Sequence, residues 1–289
     1  MKEREARAKA EQTTELGGTP IRTLGSAASF VVFLIAGVFA IVASMLMARL
    51  ALGYLFALVT IAGLVVWYLR ALGAVRANNE GVGALLRGHD ELATQRFRAL
   101  VKSRSTRENV AMGLHNLGVV ALRAGRSAAA IDVFRAALAV SAGAFRFRRT
   151  ADGVSALVRA HLGLVLAATG DLDGAEHELA LATRGQRSRL PMTLAYVARA
   201  QAYVALKRDR PAEAVALLDD ERALLANVLT GNESMLAEAM LAVALERLGG
   251  VYANGPRPPS TVWVDEAAAR FIFAFLPEAK DHLAQEELT

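Results

Sequence analysis

Apolar residues run almost without interruption from Ala27 to Leu69, roughly 43 positions broken by a single charge, Arg49, near the middle. A helix needs ~20 apolar residues to cross ~30 Å of hydrocarbon, so this block has the length of two spans. The pattern predicts helices over Ala27 to Ala48 and Leu50 to Leu69, with Arg49 at the tip of the turn between them. The second ends in Trp67-Tyr68-Leu69-Arg70, where amphipathic rings beside a cation suit a headgroup boundary. Few polar side chains fall inside (Ser29, Ser44 and Thr60), and no carboxylate or lysine is present to serve transport or proton relay.

Beyond the block the spacing changes from continuous to helical and repeats itself. Gly118, Ala121, Gly125, Ala130, Phe134 and Ala137 are followed at the same intervals by Gly163, Leu166, Gly170, Ala175, Leu179 and Ala182. Upstream, Gly81, Ala84, Gly88, Ala93 and Phe97 fit the pattern; downstream, Ala202, Ala205, Asp209, Ala214 and Leu218 fit it without the turn glycine. Small residues one helical turn apart let a partner helix approach closely. Gly125 and Gly170 stand where a first helix should end in left-handed dihedrals, while Ser127, Asp171 and Pro211 can open the second. Phe134 and Leu179 are expected to fill the space between successive pairs. A fifth first helix around Ala242, Leu245 and Gly249 precedes an insertion, Val251 to Pro259, and a last helix near Asp265 to Leu276 carrying Phe271, Ile272 and Phe275, with Trp263 nearby.

On these positions the chain resembles the tetratricopeptide repeat family, most closely over Leu114 to Ala137 and Leu162 to Ala182. Together with the apolar block, the resemblance implies an all-α fold: a transmembrane helical hairpin read from that block, followed by an α-solenoid of about five helix pairs, each burying its apolar face against the next. The expected organisation is a charged N-terminal segment over 1–26, a two-span hairpin over 27–69 and a short juxtamembrane connection over 70–80. Repeats then fill 81–250, and a Pro-rich loop with a capping helix closes the chain over 251–289.

Charge changes the picture mainly near the membrane. Residues 1–76 hold 8 Lys/Arg against 4 Asp/Glu, and the remainder 25 against 24, so the net +5 belongs largely to the flanks of the apolar block. Lys2, Arg4, Arg7, Lys9 and Arg22 precede it and Arg70, Arg76 and Arg87 follow it, which predicts both termini in the cytoplasm and the hairpin in the cytoplasmic (inner) membrane. A cleaved signal peptide fits less well, because Glu3, Glu5, Glu11 and Glu15 precede the first span and a second follows at once. Cysteine is absent, which excludes disulfides and thiolate metal sites.

Candidate chemistry is sparse. Gly81-Val82-Gly83 lacks the third glycine and the preceding strand of a dinucleotide loop, and Asp171-Leu172-Asp173-Gly174 lacks the later ligands of a calcium loop and coincides with a repeat turn. His89, His115, His161, His177 and His282 show no metal-ligand spacing. No catalytic residue, cofactor or metal is therefore expected, and the chain reads as non-catalytic.

Two surfaces stand out. The stripe of first-helix residues that such a stack turns toward its concave groove includes Asn78, Val82, Leu85, Met112, His115, Val119, Arg123, Leu157, Ala160, Leu164, Tyr196, Arg199, Tyr203 and Lys207. His115, Val119, Arg123, Tyr196, Arg199, Tyr203 and Lys207 form the candidate partner groove, suited to a protein or peptide ligand carrying carboxylates. The connections between pairs form a candidate basic edge: Lys102, Arg104 and Arg107; Arg146, Arg148 and Arg149; Arg184, Arg187 and Arg189. That edge suits anionic lipid better than nucleic acid, for which only Phe145 and Phe147 offer stacking. The expected function is a membrane-anchored scaffold or adaptor for a partner protein at the cytoplasmic face; a binding module facing the periplasm is the alternative.

Overall fold

The computed structural model describes residues 23–25, 27–46, 51–103, 105–142, 149–184, 191–229, 232–249, 262–264 and 266–285. The N-terminal flank over 1–22, the Arg49 turn and the Pro-rich insertion lie outside these residues. Helix dominates throughout, so the all-α class holds. The chain divides into two compact units, Met1–Leu117 with Arg135–Val154, and Gly118–Phe134 with Ser155–Thr289.

In the first unit, α1 (Ala27–Leu46) is followed by α2 (Ala51–Leu86), a single helix of 36 residues. Residues 70–80, expected as a connection, are part of that helix. The apolar segment and the first repeat helix are therefore one rod. Gly37 of α1 is buried on α2, where an added Cβ would stand 3.2 Å from Leu64 and 3.3 Å from Thr60. The Thr60 hydroxyl donates to the Phe56 carbonyl at 2.9 Å, so this donor is satisfied within the helix. Leu55, Phe56, Leu58, Val59, Ile61, Val65, Val66 and Leu69 are all exposed, a surface that water would penalise and hydrocarbon would not. Tyr54–Leu86 is long and apolar enough to cross a membrane; Leu34–Ala43 is a shorter apolar helical stretch.

Helix α3 (Asp90–Lys102) turns back along the end of α2, seating Phe97 over Gly81. The strand β1 (Thr23–Gly25) pairs in parallel with β2 (Ser105–Thr106) just before α4 (Arg107–Arg123). Between α2 and α4 the Asn116 amide donates to Asn78 Oδ1 at 2.8 Å, and His115 Nδ1 lies 3.0 Å from Asn116 Oδ1.

The second unit repeats one interlock. Gly118 lies under the ring of Phe134 on α5 (Ser127–Ala142), and Gly163 of α6 (Arg149–Ala168) lies under Leu179 of α7 (Leu172–Thr183). Ala202 of α8 (Pro191–Lys207) and Leu218 of α9 (Pro211–Asp220) stand at the same spacing, both buried. The large residue thus covers the small one of its own pair, and Phe134 also reaches His161 of α6 in the next pair, the position between pairs that the sequence suggested.

Every first helix of this pattern ends alike. In α4 the Arg126 N–H reaches back to the Ala121 carbonyl and the Gly125 N–H to Leu122, with Gly125 at φ 70°. Equivalent bonds close α2, α6 and α8. In α8 the left-handed position falls on Asp209, at φ 56°, so the turn persists where its glycine is lost. Asp171 begins α7 by accepting from the Gly174 N–H at 3.0 Å, and Pro211 opens α9.

After α10 (Arg222–Val228) comes α11 (Asn232–Arg247), against which pack α12 (Glu266–Phe275) and a 3₁₀ turn, Pro277–His282. Phe271, Ile272 and Phe275 are buried, as their spacing suggested. Trp263 instead belongs to β3 (Val262–Val264), which pairs with β4 (Leu283–Gln285).

Candidate functional site

Helix α8, Pro-Met-Thr-Leu-Ala-Tyr-Val-Ala-Arg-Ala-Gln-Ala-Tyr-Val-Ala-Leu-Lys, is apolar on nearly every face, and burial on all sides follows. A cation in such a helix must find a counter-charge. Arg199 is 1% exposed, and its Nη1 lies 3.8 Å from Glu233 Oε2 in the first turn of α11. The Tyr196 hydroxyl donates to the same oxygen, while His161 Nε2 of α6 is 3.6 Å from Glu233 Oε1. The guanidinium sits 4.9 Å from the Tyr196 ring centre, and that ring lies 4.5 Å from the imidazole, which in turn meets Phe134 at 5.9 Å.

Four side chains from α6, α8 and α11 therefore share one charge-balanced cluster. Burial alone would raise the Glu233 carboxyl; the Arg199 charge, His161 and the Tyr196 hydroxyl outweigh it and hold the group at about 2. Burial, then the facing carboxylate, pushes the Tyr196 phenol upward despite Arg199. The His161 Nδ1 lies 3.2 Å from the Leu157 carbonyl, which tethers the ring to its own helix. A carboxylate held so low is a weak base and a raised phenol a weak acid. The arrangement fixes charge in place and aligns three helices.

The candidate groove residues divide accordingly. Arg199 and Tyr203, expected at an open surface, are each 1% exposed, and His115 is buried beside Asn116. Tyr203 donates its hydroxyl to the Phe275 carbonyl and packs edge-on against that ring at 6.0 Å. Lys207 lies 5.3 Å over the Tyr203 ring and 3.8 Å from Glu278. The chain's own C-terminal segment thus takes up two residues expected to serve a partner. Tyr196 and Lys207 are half-buried, as are Val119 and Arg123.

Glu233 was missed in the sequence, because it lies 34 positions from Arg199 and outside the repeat pattern. The signal was the helix around the arginine, too apolar to leave a cation solvated. Of the basic edge, Lys102 ends α3, Arg107 opens α4 and Arg184 follows α7. Arg104, Arg146, Arg148, Arg187 and Arg189 lie outside the described residues, and Arg149 begins α6 with its side chain outside them. Among the described residues no group of three His, Asp or Glu could hold a metal ion.

A second ionic patch lies on the surface of the same unit. Arg208 bridges Asp173 and Glu176 of α7, the latter at 2.9 Å from Nε, and Arg210 joins Glu176 at 3.2 Å and Glu213 at 2.9 Å. These hydrogen bonds raise the Arg208 guanidinium above its ordinary value. Exposed pairs of this kind add little stability individually, though a network fixes the turn they surround.

No family model, curated protein or solved structure matches this chain.

Proposed function

We propose that the chain is a non-catalytic, membrane-anchored scaffold whose tetratricopeptide-like helix pairs present a partner protein with a fixed surface at the cytoplasmic face. The observation that carries this reading is helix α2, apolar and outward-facing over its first half and locked into a helix pair over its second by Gly81 beneath Phe97. One helix so divided gives the rest of the chain no long tether. Support for a second span comes from Gly37 packed on Thr60 and Leu64, and from β1, which lies beside Ser105 and Thr106 on the repeat side. Both ends of a hairpin then leave on one side, and the basic flanks make that side cytoplasmic. Fold alone leaves the partner open, and the half-buried first-helix positions Met112 and Val119 are where a partner would be felt.

The test is made on the full chain in its native membrane. It should resist extraction by alkaline carbonate, and a C-terminal reporter should be active only on the cytoplasmic side. A photocrosslinker at Val119 should capture one recurrent protein that a crosslinker at exposed Glu176 does not. Release by carbonate, an external C-terminus, or identical capture from both positions would each overturn part of the reading.

A further inference from the structure

A notch of about 420 Å³ opens between α2 and the last turn of α3, lined by Arg70, Gly73, Ala74, Ala77, Ala99, Leu100 and Ser103. Its walls are small and apolar. At Gly73 a Cβ would meet nothing within 4 Å, so the floor is open space and not a tight helix crossing. The only charged lining residue is Arg70, exposed and free of any carboxylate among the described residues. Lys102, in the same last turn as Ser103, is likewise exposed and uncommitted. The nearest acid along α2, Glu80, is already held by Arg76 at 2.7 Å and Arg96 at 3.3 Å.

The position of the notch says what covers it. It begins at Arg70, the first charged residue of α2, one turn past Trp67 and Tyr68. Because Gly37 packs against Thr60 and Leu64, the start of α1 ten residues earlier stands level with Arg70 to Ala74. Strand β1, immediately before it, lies along Ser105 and Thr106. Three parts of the unit thus reach one level, the height of lipid headgroups if α2 crosses a bilayer. From Arg70 to Ala77 is ~10 Å along the helix, comparable to one headgroup layer.

We infer that this notch binds one anionic glycerophospholipid, its phosphodiester on the Arg70 guanidinium with Lys102 adding charge, and the upper part of an acyl chain against Gly73, Ala77 and Leu100. The inference rests on the proposed span and assigns a specific lipid to its exit point. Arginine offers two parallel N–H donors to phosphate oxygens, and two cations without a competing carboxylate favour a negative headgroup over a zwitterionic one.

Trp67 is a built-in reporter, one turn from the notch. In bilayers containing the full-length Trp263→Phe protein, brominated phosphatidylglycerol should quench Trp67 at least about twofold more than brominated phosphatidylcholine at equal mole fraction. The excess should vanish in Arg70→Gln, and in Gly73→Leu, whose side chain fills the open floor. Equal quenching by both lipids, or an excess that survives both substitutions, overturns the site. Quenching by neither lipid overturns the span itself and the site with it, so the two failures read differently. Native mass spectrometry of the unsubstituted chain should show one retained phosphatidylglycerol that millimolar inorganic phosphate does not displace. Displacement by phosphate would mean a simple anion site and overturn the lipid assignment.

Discussion

The Tyr203 hydroxyl donates a hydrogen bond to the backbone carbonyl of Phe275, tying the buried helix α8 to the end of α12. Loss of that donor leaves a buried carbonyl unpaired, at a cost of about 1–3 kcal/mol. Tyr203→Phe should therefore speed amide hydrogen exchange over 266–282 while leaving α6 and α7 protected. Unchanged exchange there would show that the aromatic packing alone secures the segment.

Gly118 has no room for a side chain beneath Phe134. Gly118→Ala should lower stability by about 1–3 kcal/mol, seen as a fall in melting temperature. Adding Phe134→Leu should recover part of the loss, because the ring and not the backbone blocks the new methyl. Two losses that simply add would remove the interlock as the cause.

Asp209 occupies a left-handed conformation that aspartate tolerates and β-branched residues do not. Asp209→Val should cost about 1–2 kcal/mol in thermal unfolding, whereas Asp209→Gly should be neutral or stabilising. Its carboxylate is 3.7 Å from Arg247 but almost fully exposed, so the loss of that pair should matter little.

Glu233 links stability to acidity. Its folded value of about 2 lies below the ordinary 4.5, so its contribution is complete above about pH 5 and is lost as pH falls toward 2. The full difference is worth about 3 kcal/mol. Melting curves of the unmodified chain and Glu233→Gln in detergent should converge as pH drops from 5 to 2 and separate above it. A gap independent of pH would mean that the carboxylate is not held down by Arg199 and His161.

The parts of the fold that could be read in advance are those written locally. The turn glycines and the small and large residues of each pair fall at fixed intervals, and α2 to α9 follow them. Even the pair without a turn glycine kept its place, because Asp209 could adopt the same dihedrals. The site was less legible. A helical stripe containing Arg199 and Tyr203 looks the same in one dimension whether it faces water or a neighbour. Only contacts made 34 and 72 positions away, to Glu233 and Phe275, bury it. Trp263 does lie near the last helix, but its strand was not legible for a similar reason, since the pairing with Leu283–Gln285 leaves no periodic trace.

Helix α2 has a mechanical consequence. At 36 residues it is a strut of about 54 Å with no interior hinge marked by proline. If α2 crosses a bilayer as proposed, a change in thickness that tilts its lower half must swing its upper half through the same angle, and Phe97, clasped over Gly81, moves with it. The anchor would then act as a lever arm, converting lipid thickness into the bearing of the first helix pair.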